Sequence, residues 1–228
     1  MKFKLIKKQP EVEGVMSFIF EPQESLIWKA GQYVHYVLHH EPTDDRGSDR
    51  WFTISSAPYE EHPQITTRLN SEKSSSFKSK LQKLEIGKSI EISFLEGDFT
   101  IENPDLSYVF LAGGIGITPY RSILKQLDHE KKSINVTLLY ANRDQNIVFQ
   151  DELEEIASRN SNFKIHYIIS PRHIDEKVVS TAVSDITQTI FYISGPEPMV
   201  DALGEMLKKM GIPSNHIKQD WFPNYPVE

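Results

Sequence analysis

The 228-residue chain contains no cysteine. That excludes disulfides, thiol nucleophiles and cysteine-ligated iron–sulfur clusters within these residues, and it suits a reducing compartment. No apolar run approaches the ~18 residues of a membrane-spanning helix. The opening "MKFKLIKKQP" is too charged, and too short in its apolar part, for a signal peptide. A soluble, cytoplasmic protein is therefore expected. Basic residues are outnumbered, 25 Lys and Arg against 32 Asp and Glu, for a net charge of -7. A nucleic-acid binder would normally show a basic face instead. There is no HExxH helix, and "GKS" at 87–89 has Gln82 where a phosphate-loop ATPase needs its upstream glycine. His35, His39 and His40 are read as surface histidines rather than ligands, so no metal is expected.

What is present supports a folded protein. Hydrophobic residues make up 39% and aromatics 11%, enough for a core and against global disorder. The first hundred residues read as short strands: "KFKLIKK", "VMSFIF", "QYVHYVL", "QITTRL" and "SIEISFL" are β-branched, aromatic and partly alternating. Glu13-Gly14, Ala30-Gly31, Gly47, Ala57-Pro58, Gly87 and Gly97-Asp98 punctuate them. One helix interrupts, "SSSFKSKLQKLE", with Phe77, Leu81 and Leu84 at helical spacing. A small antiparallel β-barrel or a sandwich is suggested by this pattern.

After "ENPD" (102–105) the rhythm changes. Strand-like "YVFLA", "VTLLY", "KIHYII" and "TIFYIS" alternate with helical stretches near 118–129, 146–159, 176–183 and 197–210. That alternation predicts βαβ units, hence a doubly wound parallel sheet. Two domains are expected, 1–103 and 104–228.

Three stretches carry chemistry. "AGGIGITPY" (112–120) follows the first parallel strand. It reads either as a plain tight turn or as a loop whose backbone N–H groups, with the next helix, hold an anion. "DRWFTISSAP" (49–58) offers Arg50 as a fork for phosphate, Phe52 as a flat face, and Thr53 and Ser55 as donors; an ordinary edge strand is the alternative. "NSEKSSSFKSKL" (70–81) sets serines at a helix start, a second anion site. Three such stretches in one chain suggest two phosphate-bearing cofactors facing each other.

The order of motifs resembles the ferredoxin–NADP reductase family of flavoenzymes. "RWFTISS" is similar to its R-x-[YF]-[ST] flavin signature, and "TTRLNSEKSSSFKSKLQKLEIGKSIEISFLEGDF" to its second flavin segment. "YVFLAGGIGITPYRSIL" resembles its nicotinamide-nucleotide loop, "FYISGPEPMVDAL" its G-P-x-x-M segment, and "DWFPNY" its closing E-x-F-x-G-Y. The resemblance spans nearly the whole chain.

It implies a flavin domain followed by a nucleotide domain, with FAD in preference to FMN, and NADPH or NADH as hydride donor. Arg50 would bind the flavin pyrophosphate within the signature that includes Trp51 and Ser55. Phe52 would lie on the isoalloxazine and Thr53 near its N5. Thr67 and Arg68 would line the flavin, and Ser74, Ser75 and Ser76 would hold the pyrophosphate. Gly113, Gly114, Gly116 and Thr118 would form the nucleotide floor, with the glycines leaving room for the nucleotide and Pro119 opening the helix. Gly195, Pro196, Glu197 and Met199 would close that pocket. Phe222 and Tyr225 would return to the flavin. Thr53, Ser194 and Asp220 are the polar groups implied at hydride transfer. Ser194 stands where relatives often carry cysteine, Asp220 replaces the closing glutamate and Asn224 the glycine.

Ser170 and Arg172, with Arg143, resemble the group that grips a 2′-phosphate, which implies a mild preference for NADPH. With no cysteine for a cluster, electrons are expected to pass to a separate redox protein of ferredoxin or flavodoxin type, or to a small acceptor. Lysines clustered in the flavin domain read as a docking face or as a solvated surface. Two rival readings are a reductase component of an oxygenase complex and a non-catalytic flavin-binding subunit.

Overall fold

The computed structural model describes residues 1–69, 75–183 and 185–222, the last residue through its backbone alone. The chain divides into two compact units, Met1–Thr100 and Ile101–Glu228.

The first unit is one antiparallel sheet of β1 (Lys2–Val12), β2 (Val15–Pro22), β3 (Tyr33–Val37), β4 (Asp49–Thr53), β5 (Gln64–Arg68) and β6 (Ser89–Glu96). Its order is β4-β3-β6-β1-β2-β5. Period-two alternation turns Phe3, Leu5, Val34, Tyr36, Ile90 and Ile92 into a shared core. The rings of Phe3, Phe20 and Tyr36 meet there with centroids 6.0–6.2 Å apart. Helix α1 (Ser76–Lys83) adds Phe77 and Leu81 to the same core.

The two edge strands are drawn together just beyond β4. Ser55 N donates to Gln64 O at 2.9 Å, and Ser55 Oγ lies 2.7 Å from Thr66 Oγ1. Ser17 and the Gln64 side chain complete this buried polar cluster. The expected barrel is thus nearly closed, which leaves little free strand edge. Ser55, expected as a donor to a ligand, is 0% exposed, and its Oγ bonds Gln64 O and Thr66 Oγ1 at this closure.

The second unit is a parallel sheet in the order β11-β10-β7-β8-β9. Its strands are β7 (Tyr108–Gly113), β8 (Val136–Asn142), β9 (Phe163–Ile169), β10 (Ile190–Pro196) and β11 (Ile217–Phe222). Its helices are α2 (Thr118–His129), α3 (Gln150–Arg159), α4 (Glu176–Ala182) and α5 (Glu197–Lys209). One sheet face packs Val109, Leu111, Phe191 and Ile193 against Val179 of α4 and Val200, Leu203 and Leu207 of α5. On the other, Tyr120 of α2 stacks on Phe110 at 4.5 Å. The 5%-exposed Arg121 ties α2 to Glu152 of α3 at 2.8 Å.

Two details differ from the sequence reading. Helix α3 starts at Gln150, not 146, because Phe149 adopts φ +62° and Ile147, Val148 and Phe149 turn into the core. The parallel strand β11 was not anticipated. Its "IKQD" start is polar because an edge strand leaves part of its surface to solvent.

Two buried tyrosines make opposite predictions. The Tyr36 hydroxyl is buried with no hydrogen-bond partner among the described residues, whereas the Tyr120 hydroxyl donates to Tyr192 O at 2.8 Å. In urea unfolding, Tyr36→Phe should leave stability unchanged or raise it by about 1 kcal/mol, and Tyr120→Phe should lower it by about 1 kcal/mol. Equal losses in both would show that the Tyr36 hydroxyl is satisfied after all.

Candidate functional site

Alternation along β4 separates the residues of the R-W-F-T stretch. Arg50 and Phe52 share one face, where both meet Phe77 of α1. The guanidinium lies 5.7 Å from the Phe77 ring and the Phe52 ring 5.7 Å from it. Phe52 also meets Tyr36 edge-on at 6.0 Å. Trp51 points the other way. It is 44% exposed and packs on His35 at 4.6 Å, Tyr33 at 5.2 Å and Phe94 at 6.5 Å. The structure therefore does not bring Trp51 to the face of Arg50, because adjacent strand residues face opposite ways. The His35 ring is held between Ser93 Oγ at 2.6 Å and Asp49 Oδ2 at 2.7 Å.

Arg50 meets the start of α1 through an acidic turn. Its Nη1 donates to the carbonyls of Arg46, Gly47 and Asp49. Its Nη2 donates to Asp44 Oδ1 at 2.9 Å. The other Asp44 oxygen accepts the Ser76 N–H at 2.8 Å, and Asp44 N–H donates to Ser76 Oγ at 2.9 Å. Burial pushes the Asp44 carboxyl up, but the N–H groups of Ser76 and Arg46 and the Arg50 charge outweigh it and hold it at about 2. Ser75 caps α1, its Oγ accepting Lys78 N–H at 3.3 Å. Lys78 Nζ in turn reaches Arg68 O at 3.3 Å, which joins β5 to the helix. Thr53 and Thr67 are buried at 5% and 1% exposure. Ser74 lies outside the described residues. Asp44 and Phe77 were not anticipated as site residues. "TDDRGSDR" offers several equivalent acids, and Phe77 read only as part of a helical stripe.

The donor set suits a phosphate. A guanidinium and the backbone N–H groups of Ser76 and Arg46 already grip a carboxylate in this fold, and aromatic rings lie alongside.

In the second unit the sheet order reverses beside β7, where chain connections diverge and open sheets bind ligands. The loop there is a 3-10 turn, Gly114–Ile117, running straight into α2. Thr118 is the first α2 residue, with its Oγ1 donating to Ile115 O at 3.2 Å, so Pro119 is the second helical residue rather than the opener. Gly114 has φ +51°, a region that side chains rarely adopt.

The glycines beside it have an internal reason. A Cβ on Gly116 would lie 2.2 Å from Ser194 O, and one on Gly113 2.5 Å from Met199 Sδ. These contacts within the chain are a reason for glycine in addition to the expected room for a nucleotide. They let the β7 loop touch the "SGP" end of β10 and let the Met199 side chain lie across it. Gly195, Pro196, Glu197 and Met199 thus come together with Gly113 and Gly116 at one edge.

Ser194 is 0% exposed, and its Oγ donates to Asp220 Oδ2 at 3.4 Å. The two are register partners on parallel strands. Burial, and secondarily the Asp220 charge, push the nearby Tyr120 hydroxyl well above its ordinary value, so it remains a donor. Thr53, the third polar residue of that expectation, belongs to the first unit. Phe222 pairs with Pro196 through its backbone, and Tyr225 lies outside the described residues. At the far side of the sheet, Ser170 N donates to Asn142 O at 3.0 Å, which sets Ser170 beside the residue preceding Arg143. Arg172 lines a separate cavity of about 370 Å³ with His166, Asp175 and Lys177.

The Gly116 contact is to backbone, and the Gly113 contact is to a flexible thioether. Gly116→Ala should cost about 1–3 kcal/mol, and Gly113→Ala clearly less. Thermal unfolding of the two variants checks the order; equal losses would mean that the loop shifts freely.

Residues 110–205 match the oxidoreductase NAD-binding domain family. A flavohemoprotein of Burkholderia sp. (strain TH2) is 25% identical over 96% of this chain and 58% of its own length. The glycine betaine monooxygenase reductase subunit of Chromohalobacter salexigens is 24% identical over 98% of this chain and 64% of its own length. The chain thus spans less than two thirds of either relative. The solved ferredoxin-NADP+ reductase of Plasmodium falciparum shares the fold with a TM-score of 0.81 at 19% identity, covering 97% of this chain and 95% of that one. With the barrel and the doubly wound sheet, these likenesses give the chain the fold of that reductase, with residues 110–205 similar to the NAD-binding domain family.

Proposed function

We propose that this chain is an NAD(P)H-dependent flavin oxidoreductase that takes hydride from the nicotinamide nucleotide onto FAD and passes electrons to a separate acceptor. The observation that carries the reading is the convergence of Arg50 Nη2 and Ser76 N–H on one anion beside Phe52 and Phe77. Arg50, Ser75 and Ser76, with Ser74, hold the flavin diphosphate, which favours FAD over FMN. Phe52 supplies an apolar face for the flavin, and Thr53, Thr67 and Arg68 line it. Bound there, the flavin supplies the redox chemistry, accepting a hydride and releasing electrons singly.

Gly113, Gly114, Gly116 and Thr118 form the nucleotide floor, and Gly195 to Met199 its rim. Ser194 and Asp220 provide a hydroxyl and a carboxylate at the strand end where the nicotinamide is bound. The Ser194 O–H donates to Asp220, so the serine's lone pairs, not its O–H, face other donors.

The acceptor is a protein carrier of ferredoxin or flavodoxin type or a small molecule. The relationship to the Chromohalobacter salexigens reductase subunit favours a protein partner such as an oxygenase component. Lys2 and Lys4 already pair with Glu91 and Glu21, so a docking face relies on other lysines. Electron transfer to a protein carrier should slow as salt rises, whereas a small neutral acceptor should be indifferent.

For the hydride donor, Ser170, Arg143 and Arg172 favour NADPH. Purified chain should take up FAD, turn yellow and bleach under anaerobic NADPH, and Arg172→Ala should raise the KM for NADPH about tenfold while sparing NADH. No flavin uptake sinks the proposal. Uptake without bleaching makes the chain a non-catalytic flavin binder. Equal turnover with NADH, unchanged in Arg172→Ala, contradicts the NADPH preference.

A further inference from the structure

The donors assigned to the flavin diphosphate already have an anion, and it belongs to the chain. Asp44 spans them, with one oxygen on Arg50 Nη2 at 2.9 Å and the other on Ser76 N–H at 2.8 Å. The remaining guanidinium nitrogen of that fork, Nη1, is engaged with three carbonyls of the 46–49 turn. Both terminal nitrogens of Arg50 are thus engaged within the chain, and the one that faces an anion, Nη2, faces Asp44. The link is two-way, since Asp44 N–H donates to Ser76 Oγ at 2.9 Å and the turn closes through Gly47 N on Asp44 O at 3.0 Å. The side chain of Asp44 is 25% exposed, so the carboxylate has water to swing into.

We propose that Asp44 is a built-in competitor for the phosphate groups of the flavin: it caps Arg50 and α1, must be displaced when a phosphate binds there, and so sets flavin affinity. This rests on the flavin reading of Arg50. Two anions cannot share one N–H and one guanidinium edge without strong mutual repulsion. A carboxylate that merely oriented Arg50 would have to leave the Ser76 N–H to the ligand; here it takes both. The carboxylate also stabilises the flavin-free chain, because it neutralises a guanidinium only 15% exposed and caps a helix start.

The test uses the whole chain, freed of flavin, titrated with FAD, FMN and riboflavin while flavin fluorescence is followed. Asp44→Asn keeps the size and removes the charge. It should bind FAD and FMN about 10- to 100-fold more tightly than the parent, the range of one charge-assisted hydrogen bond no longer to be broken. Riboflavin, which has no phosphate, should bind both proteins equally. The flavin-free variant should melt a few degrees lower, and inorganic pyrophosphate should raise its melting temperature more than the parent's. Asp44→Ala, which also removes the acceptor for Ser76 N–H, should show the same tighter FAD binding with a larger loss of melting temperature.

Unchanged or weaker FAD binding in both variants, with flavin still bound by the parent, overturns the competition and leaves Asp44 a positioning residue for Arg50. Riboflavin gaining in parallel with FAD also overturns it. Failure of parent and variants alike to take up any flavin overturns the flavin reading and this inference with it.

Discussion

A guanidinium with little solvent must be paired, and the first unit is built around meeting that demand for Arg50. Its side chain is only 15% exposed, lies over Phe77 and faces the start of α1. Desolvated charge is costly unless paired. The Asp44 carboxylate and the carbonyls of Arg46, Gly47 and Asp49 converge on it, and Asp44 in turn binds the Ser76 N–H. The barrel carries β4 to this place, and the polar cluster of Ser17, Ser55, Gln64 and Thr66 holds β4's end against β5. The same arrangement joins the 44–47 turn to the start of α1 through Asp44.

In the second unit the controlling constraint is steric. The β7 loop touches the end of β10 closely enough that a single Cβ on Gly116 has no place. That contact sets Met199 across Gly113 and leaves Ser194 buried against Asp220. Packing on both sheet faces supports it, with α4 and α5 below Val109, Leu111 and Ile193 and the Phe110–Tyr120 stack opposite. This edge of the sheet is thus a packed junction of the β7 loop and the end of β10 rather than an open turn.

Much of this was legible beforehand. Alternating Phe3, Leu5, Val34 and Tyr36 marked a half-buried sheet, and the switch to strand–helix repeats after residue 105 marked the parallel one, because the two periodicities differ. Helix α2 spans 118–129 as read, since a proline in the first turn and an unbroken apolar stripe leave few alternatives. The grouping of Gly113, Gly116, Gly195 and Met199 also holds. The start of α3 and the existence of β11 were not legible, because one depends on a single left-handed residue and the other on an edge position that tolerates polar side chains.

By itself, then, the sequence determined the two architectures, the order of the motifs and the residue types able to hold a phosphate, all of which follow from local periodicity and side-chain chemistry. Tertiary structure alone decided who meets whom. It turned Trp51 away from Arg50, committed Ser55 to barrel closure, and chose Asp44 from a run of acids as the partner of Arg50 and Ser76. Those choices depend on strand register and on contacts between residues about 30 positions apart, such as Asp44 and Ser76, and such distances in sequence carry no local signal.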